Sequence, residues 1–182
     1  MSRLQAVNPA EATGKTKDLL SEVQKKLGVT PNMMKTMAQS PAVLEAYLNF
    51  SGALSNGSLN AKIREQIALA VGEANSCGYC VSAHTTIGKM VGLSEDDINY
   101  SRQSSSGNTK TDAALKFARA IVLERGEVSD TDVQQVRNAG FTDGEIAEII
   151  GSVSLNIFTN YFNHIAETEL DFPKVEALKK SA

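Results

Sequence analysis

No stretch of this chain approaches ~18 consecutive apolar residues, so no segment is expected to cross a membrane as a helix. The opening "MSRLQAVNPAEATGK" lacks an apolar core of secretory length, so no export signal is read there. Charge of one sign is missing too: 18 Lys and Arg stand against 21 Asp and Glu, which argues against nucleic-acid binding. Basic runs are short, as at Lys25-Lys26 and Lys179-Lys180. With two cysteines in 182 residues there is no disulfide framework of the secreted kind. These absences point to a cytoplasmic protein. In a reducing compartment a close cysteine pair serves catalysis or metal binding more often than crosslinking.

Sustained strand alternation bounded by hairpin turns is absent as well. The chain has helical stretches punctuated by caps instead. Asn8 and Pro9 predict a first helix whose stripe is Leu19, Leu20, Val23 and Leu27, stopped by Gly28. Thr30 and Pro31 open a short helix, and Ser40 and Pro41 open the next. Asn60 caps "AKIREQIALAVGEANS", which is apolar at every position from Ile67 to Val71 and so is expected to be buried on most sides. "VSAHTTIGKMVG" ends at Gly92, and Ser94 with Asp97 forms a near capping box. "QSSSGNTK" is the most loop-like stretch, too short for a domain linker. Three more helices follow: Thr111 to about Arg125, Asp130 to about Asn138, and a long one from about Asp143, capped by Thr142 and Glu145. The reading is all-α, a single-domain multi-helix bundle over residues 1–182 with seven or eight helices.

"CGYCVSAH", residues 77 to 84, holds both cysteines and one of the two histidines. In a helix that begins near Cys77, Cys77, Cys80 and His84 lie along one stripe. Thiols one turn apart can close a disulfide with little movement. A helix N-terminus favours thiolate over thiol, and His84, one turn on, can accept a proton. The preceding helix offers Glu65 and Glu73. In an antiparallel hairpin, Glu65 comes to about the height of His84 and can orient it.

The constellation of Glu65, Cys77, Cys80 and His84, at its spacing and within "REQIALAVGEANSCGYCVSAHT", resembles the motif of the alkylhydroperoxidase D family of the carboxymuconolactone decarboxylase-like superfamily. The redox core of that resemblance is about 60–92, and "NYFNHIAETELDFP" resembles the close of the longer, peroxidase-related members. The resemblance implies a thiol peroxidase acting on hydroperoxides, with no cofactor. By it, Cys80 attacks the peroxide and Cys77 resolves the sulfenic acid to a disulfide. Glu65 and His84 would draw the proton from Cys80, through a water. It further implies an external dithiol reductant, which in the family can be a lipoylated carrier, and a homo-oligomer, trimer or hexamer. Tyr79 stands where well-characterised members can carry a second histidine. A phenol near pKa ~10 is no base at neutral pH, though it can donate a hydrogen bond.

Other readings stand beside this one. The dithiol could serve a thiol–disulfide oxidoreductase with a non-peroxide acceptor. Cys77, Cys80 and His84, with His164 or Glu65, could hold zinc, although a second ligand pair is absent. A decarboxylase or lactone-processing enzyme is suggested only by the superfamily, whose decarboxylases generally lack the paired cysteines. Glu145 and His164 repeat the 19-residue spacing of Glu65 and His84, and a duplication would leave that second copy structural. Glu73 is read as structural or at the site's edge, His164 as a packed histidine, and Met33, Met34 and Met37 as core or interface filling rather than as the lining of a substrate entrance.

Overall fold

The computed structural model describes residues 2–176 and 178, all helix, turn and loop; the Lys179-Lys180 run lies outside them. Nine helices form among the described residues, rather than seven or eight: α1 (Gly14–Leu27), α2 (Asn32–Met37), α3 (Pro41–Ser55), α4 (Ala61–Ala74), α5 (Gly78–Met90), α6 (Glu95–Arg102), α7 (Thr109–Leu123), α8 (Asp130–Asn138) and α9 (Asp143–Ala166). The six-residue α2 stands as an element of its own because prolines at 31 and 41 interrupt the chain on either side.

Small polar caps set most of the starts. The Asn60 carboxamide accepts from the backbone N–H of Ile63, and Asn108 accepts likewise from Thr111. Ser94 with Asp97, Ser129 with Asp132 and Thr142 with Glu145 form full capping boxes. These hydrogen bonds hold the carboxyl groups of Asp97, Asp132 and Glu145 below the usual carboxylate range. The N-terminal expectation fails. Asn8 caps only an isolated turn, accepting from Ala10 at 3.1 Å, and α1 begins after Thr13. Pro9 fits either turn or helix, so it does not discriminate. Thr30 does not open α2 either; its hydroxyl donates to Gln24 Oε1.

The core has two main parts. Ile67, Val71, Leu115, Ala118, Val136, Ile149 and Val153 join α4, α7, α8 and α9. Leu20, Val23, Met37 and Leu44 join α1, α2 and α3. Helix α4 runs through the middle, buried from Gln66 to Gly72 and packed against α5, α6, α7 and α9 of its own chain. Its nearly all-round apolar character is thus used within one subunit. Two polar ties fix its ends. Glu148 of α9 accepts the backbone N–H groups of Ser58 and Leu59 at 2.8 and 2.9 Å, just before α4. Near the other end, Glu73 makes a largely buried ion pair with Arg102 of α6, which bears out its structural reading.

Two glycines test the packing. A Cβ on Gly72 would lie 3.3 Å from Val81 and 3.7 Å from Cys80 Cβ, whereas at Gly52 of α3 nothing lies within 4 Å. Gly52→Ala should therefore stabilise by about 0.5–1 kcal/mol through helix propensity alone. Gly72→Ala has the same propensity gain, but crowding a packed contact costs ~1–3 kcal/mol and should outweigh it. In thermal unfolding, Gly52→Ala is expected to raise Tm and Gly72→Ala to lower it. A raised Tm for both would show that Val81 yields freely.

Candidate active site

The turn between α4 and α5 sets the site. Ser76 takes a left-handed conformation (φ 58°) that reverses the chain, and the Cys77 N–H donates to the Gly72 carbonyl at 2.8 Å. Cys77 is then the N-cap of α5, its sulfur accepting from the Cys80 N–H at 3.3 Å. The pair is joined as a disulfide with Cα atoms 5.3 Å apart. On the antiparallel neighbour, Glu65 Oε2 lies 2.7 Å from His84 Nδ1, with both side chains largely buried. An ionised carboxylate only accepts, so Nδ1 carries a proton, and in the neutral imidazole Nε2 is then the nitrogen with the free lone pair.

All four sequence-selected residues meet on this hairpin, beside a cavity of about 550 Å³. The cavity lies between the α1–α3 layer and helices α4, α5 and α9. Cys80, Glu65 and His84 line it, whereas Cys77 does not. Apolar walls come from Val23, Leu48, Leu54 and Ile87. Met33 and Met34 line it too, against the expectation that they only fill core, while Met37 stays in the core. Methionine's flexible thioether suits it to both places.

Two phenols border the cavity. Burial, and next the negative charge of Glu65, push the Tyr47 hydroxyl up to about 12. Burial raises Tyr79 further; its hydroxyl donates to Asp171 at 2.8 Å and accepts from the Met33 N–H. Both rings stay neutral at ordinary pH. Tyr79 also meets Phe172 edge-on at 5.7 Å, so the segment after α9 is strapped over the start of α5.

The apparent duplication does not exist. Glu145 and His164 sit near opposite ends of the single helix α9, about 28 Å apart along its axis. His164 is exposed rather than packed and bonds the Asn75 carbonyl at 3.0 Å. Among the described residues no three or more His, Cys, Asp and Glu side chains are grouped to hold a metal.

Sequence reasoning missed the wall supplied by α9. Ser152, Asn156, Thr159 and Asn163 form one buried polar stripe along the cavity, and the Asn163 Nδ2 lies 3.4 Å from Cys80 Sγ. Their helical spacing in an otherwise apolar stretch was the available signal. The opposite face is apolar and exposed, at Ile150, Phe158, Tyr161 and Ile165.

The sequence model of the carboxymuconolactone decarboxylase family matches residues 41–120, a span that contains all four residues of the hairpin site. No curated protein sequence matches the chain. Among solved structures, the chain is similar to the alkylhydroperoxidase AhpD core of an uncharacterized peroxidase-related protein from Ralstonia eutropha JMP134. That likeness has a TM-score of 0.84 and 26% identity, over 93% of this chain and 92% of the other. A second peroxidase-related protein, from Silicibacter sp. TM1040, has a TM-score of 0.79 and 22% identity over 93% and 94% of the two chains. A cysteine-to-alanine variant of the debrominase Bmp8, in a complex with 2,3,4-tribromopyrrole, has a TM-score of 0.81 and 16% identity over 94% and 92%. The last two share the fold. Family match, fold and 26% identity over nearly the whole chain agree in supporting the alkylhydroperoxidase D family within the carboxymuconolactone decarboxylase superfamily.

Proposed function

We propose that the protein is a thiol-dependent peroxidase working through a Cys77–Cys80 dithiol/disulfide cycle. The observation that carries this is asymmetric access: Cys80 lines the cavity beside His84, and its bonded partner Cys77 lies behind it. In the reduced protein, His84 Nε2 takes the Cys80 proton, directly or through a water, while Glu65 holds Nδ1–H. The thiolate attacks the outer peroxide oxygen, the O–O bond breaks, and the leaving alkoxide takes the Cys77 thiol proton and departs as the alcohol. Cys80 is then a sulfenic acid. The Cys77 thiolate attacks it, the hydroxide leaves as water with the proton that His84 took, and the disulfide forms. An external dithiol, which in the family can be a lipoylated carrier, returns two electrons and two protons. A reducing cytoplasm suits that cycle.

A second reading, a thiol–disulfide oxidoreductase with a non-peroxide organic acceptor, is favoured by one observation. A cavity of about 550 Å³ is far larger than hydrogen peroxide needs. Turnover separates the readings: peroxide-dependent oxidation of a dithiol donor supports the first and its absence supports the second. Activity that survives loss of both cysteines would point instead to decarboxylase-like chemistry.

On the first reading, hydroperoxide converts two thiols to one intrachain disulfide, a loss of two hydrogens in intact mass that a dithiol reverses. Cys80→Ser abolishes turnover. Cys77→Ser leaves Cys80 trapped as sulfenic acid or over-oxidised. Free thiols that persist in the wild type after exposure to several hydroperoxides would refute the cycle.

The base has its own test. His84→Ala should slow Cys80 oxidation by ~10²–10⁴-fold and move the pH–rate profile upward. Glu65→Gln should cost less, because His84 remains as an unoriented base. Stopped-flow rates from about pH 5 to 10 measure both. Unchanged rates and profiles in folded variants would make Glu65 and His84 structural.

We also propose a homo-oligomer, trimer or hexamer, built on the exposed apolar face of α9. Ile165 is 65% and Tyr161 55% exposed there, next to Phe158. Light scattering should give a multiple of the 19.5 kDa chain mass, reduced by Phe158→Glu with Ile165→Lys. A monomer at every concentration would remove this claim.

A further inference from the structure

Asn163 lies on α9, 83 residues from Cys80 in sequence, and is 5% exposed. Its Nδ2 is 3.4 Å from Cys80 Sγ and 3.3 Å from Met33 Sδ. A thioether and a disulfide sulfur carry no hydrogen, so both can only accept. The carboxamide atom that faces them must therefore be the NH₂ group, which fixes the orientation of the amide by chemistry. Its Oδ1 is buried and has no partner among the described residues.

Such burial is costly for so weak a return. Neutral sulfur is a poor acceptor, and a buried polar group that lacks a good partner costs about 1–3 kcal/mol. Two neighbours in the stripe place their donors locally: Asn156 Nδ2 donates to the Ser152 carbonyl at 2.8 Å, and the Thr159 hydroxyl to the Asn156 carbonyl at 3.0 Å; the Ser152 hydroxyl, like Asn163 Oδ1, is buried without a partner among the described residues. Asn163 instead directs its donor at sulfur. A thiolate at Cys80 is a strong acceptor, and a charge-assisted bond to it would offset the burial.

The ionisable groups that share the cavity with Cys80 are Tyr47 from α3, Arg64 and Glu65 from α4, and Tyr79 and His84 from α5, with Glu22 and Lys26 of α1. Cys77, bonded to Cys80, lies behind. Arg64 is tied to the Leu59 carbonyl and Glu65 to His84. Both tyrosines stay neutral, and Glu65 brings negative charge that opposes a thiolate. Helix α9 brings no ionisable side chain to the cavity; α2 brings Met33 and Met34.

We propose that Asn163 is a catalytic residue whose Nδ2 hydrogen-bonds the Cys80 thiolate and stabilises it in the reduced protein. This rests on Cys80 as the attacking sulfur, but its test needs no peroxide. With Cys77→Ser as background, the ultraviolet absorbance of the single thiolate is followed against pH. Asn163→Leu should raise the apparent Cys80 pKa by about one unit, a tenfold smaller thiolate fraction at neutral pH. Asn163→Asp should raise it further, because an anion then replaces the donor. In the same background with Asn163 intact, the side-chain amide resonance of Asn163 should titrate with Cys80. That measurement decides alone if neither variant folds. An unchanged pKa in folded variants, or an amide signal indifferent to ionisation of Cys80, overturns the proposal. Peroxide inactivity with the shift present would refute the peroxidase reading and leave Asn163 in its role; peroxidase turnover without the shift would do the reverse.

Discussion

The hydrogen bond from the Cys77 N–H to the Gly72 carbonyl, at 2.8 Å, is the fixed point of the site. Gly72, with no side chain, lets Val81 of α5 pack close beside it: a Cβ there would lie 3.3 Å from Val81. From that point α4 runs back and α5 runs forward, antiparallel. Seven residues along each, about 10 Å of rise, stand Glu65 and His84. Equal arms from a shared origin bring the carboxylate level with the imidazole. The same bond seats Cys77 at the helix N-terminus, from where Cys80 faces the cavity. A wider helix spacing would part Glu65 from His84, losing the proposed proton path, and misplace the dithiol together.

The legible parts of the sequence were those whose physics is local. Caps at Asn60, Ser94 and Thr142 act over three residues, so spacing alone reveals them. The hairpin constellation spans twenty residues and two elements, short enough for helical geometry to bring Glu65 to His84. Equal spacing was misleading where that geometry was absent: Glu145 and His164 share one straight helix and cannot meet. Asn163 stayed hidden because its partner is a tertiary neighbour from a distant segment, and because the titratable His164 beside it drew attention. Asn8 misled since one turn and the first turn of a helix have the same cap chemistry.

Around the hairpin, polar groups are allotted so that few compete with the proposed proton path. Glu73, one of two carboxylates on α4, is occupied by Arg102 and holds α6 in place. Tyr79, between the two cysteines in sequence, is bound to Asp171 and kept protonated by burial. Its ring and hydroxyl dock the chain after α9, because Asp171 also accepts the Asn32 N–H at 2.6 Å. A residue inside the Cys-x-x-Cys motif thus serves as a structural pin between α2, α5 and the C-terminal segment. That leaves His84, held by Glu65 and facing the cavity with Cys80, as the group the proposed proton path uses.

Helix α9 carries polar side chains on the side turned to the cavity and large apolar ones on the side turned to solvent. A redesign that sought a more stable single subunit by the ordinary rule, oily inside and charged outside, would exchange these two faces. Each exchange would score as an improvement. The sum would be a hardier, more soluble chain whose pocket had turned to wax and whose copies had lost the proposed reason to meet. For this helix, apparent error in hydropathy is the record of what the molecule is kept for, and consensus or computed stabilisation should leave it untouched.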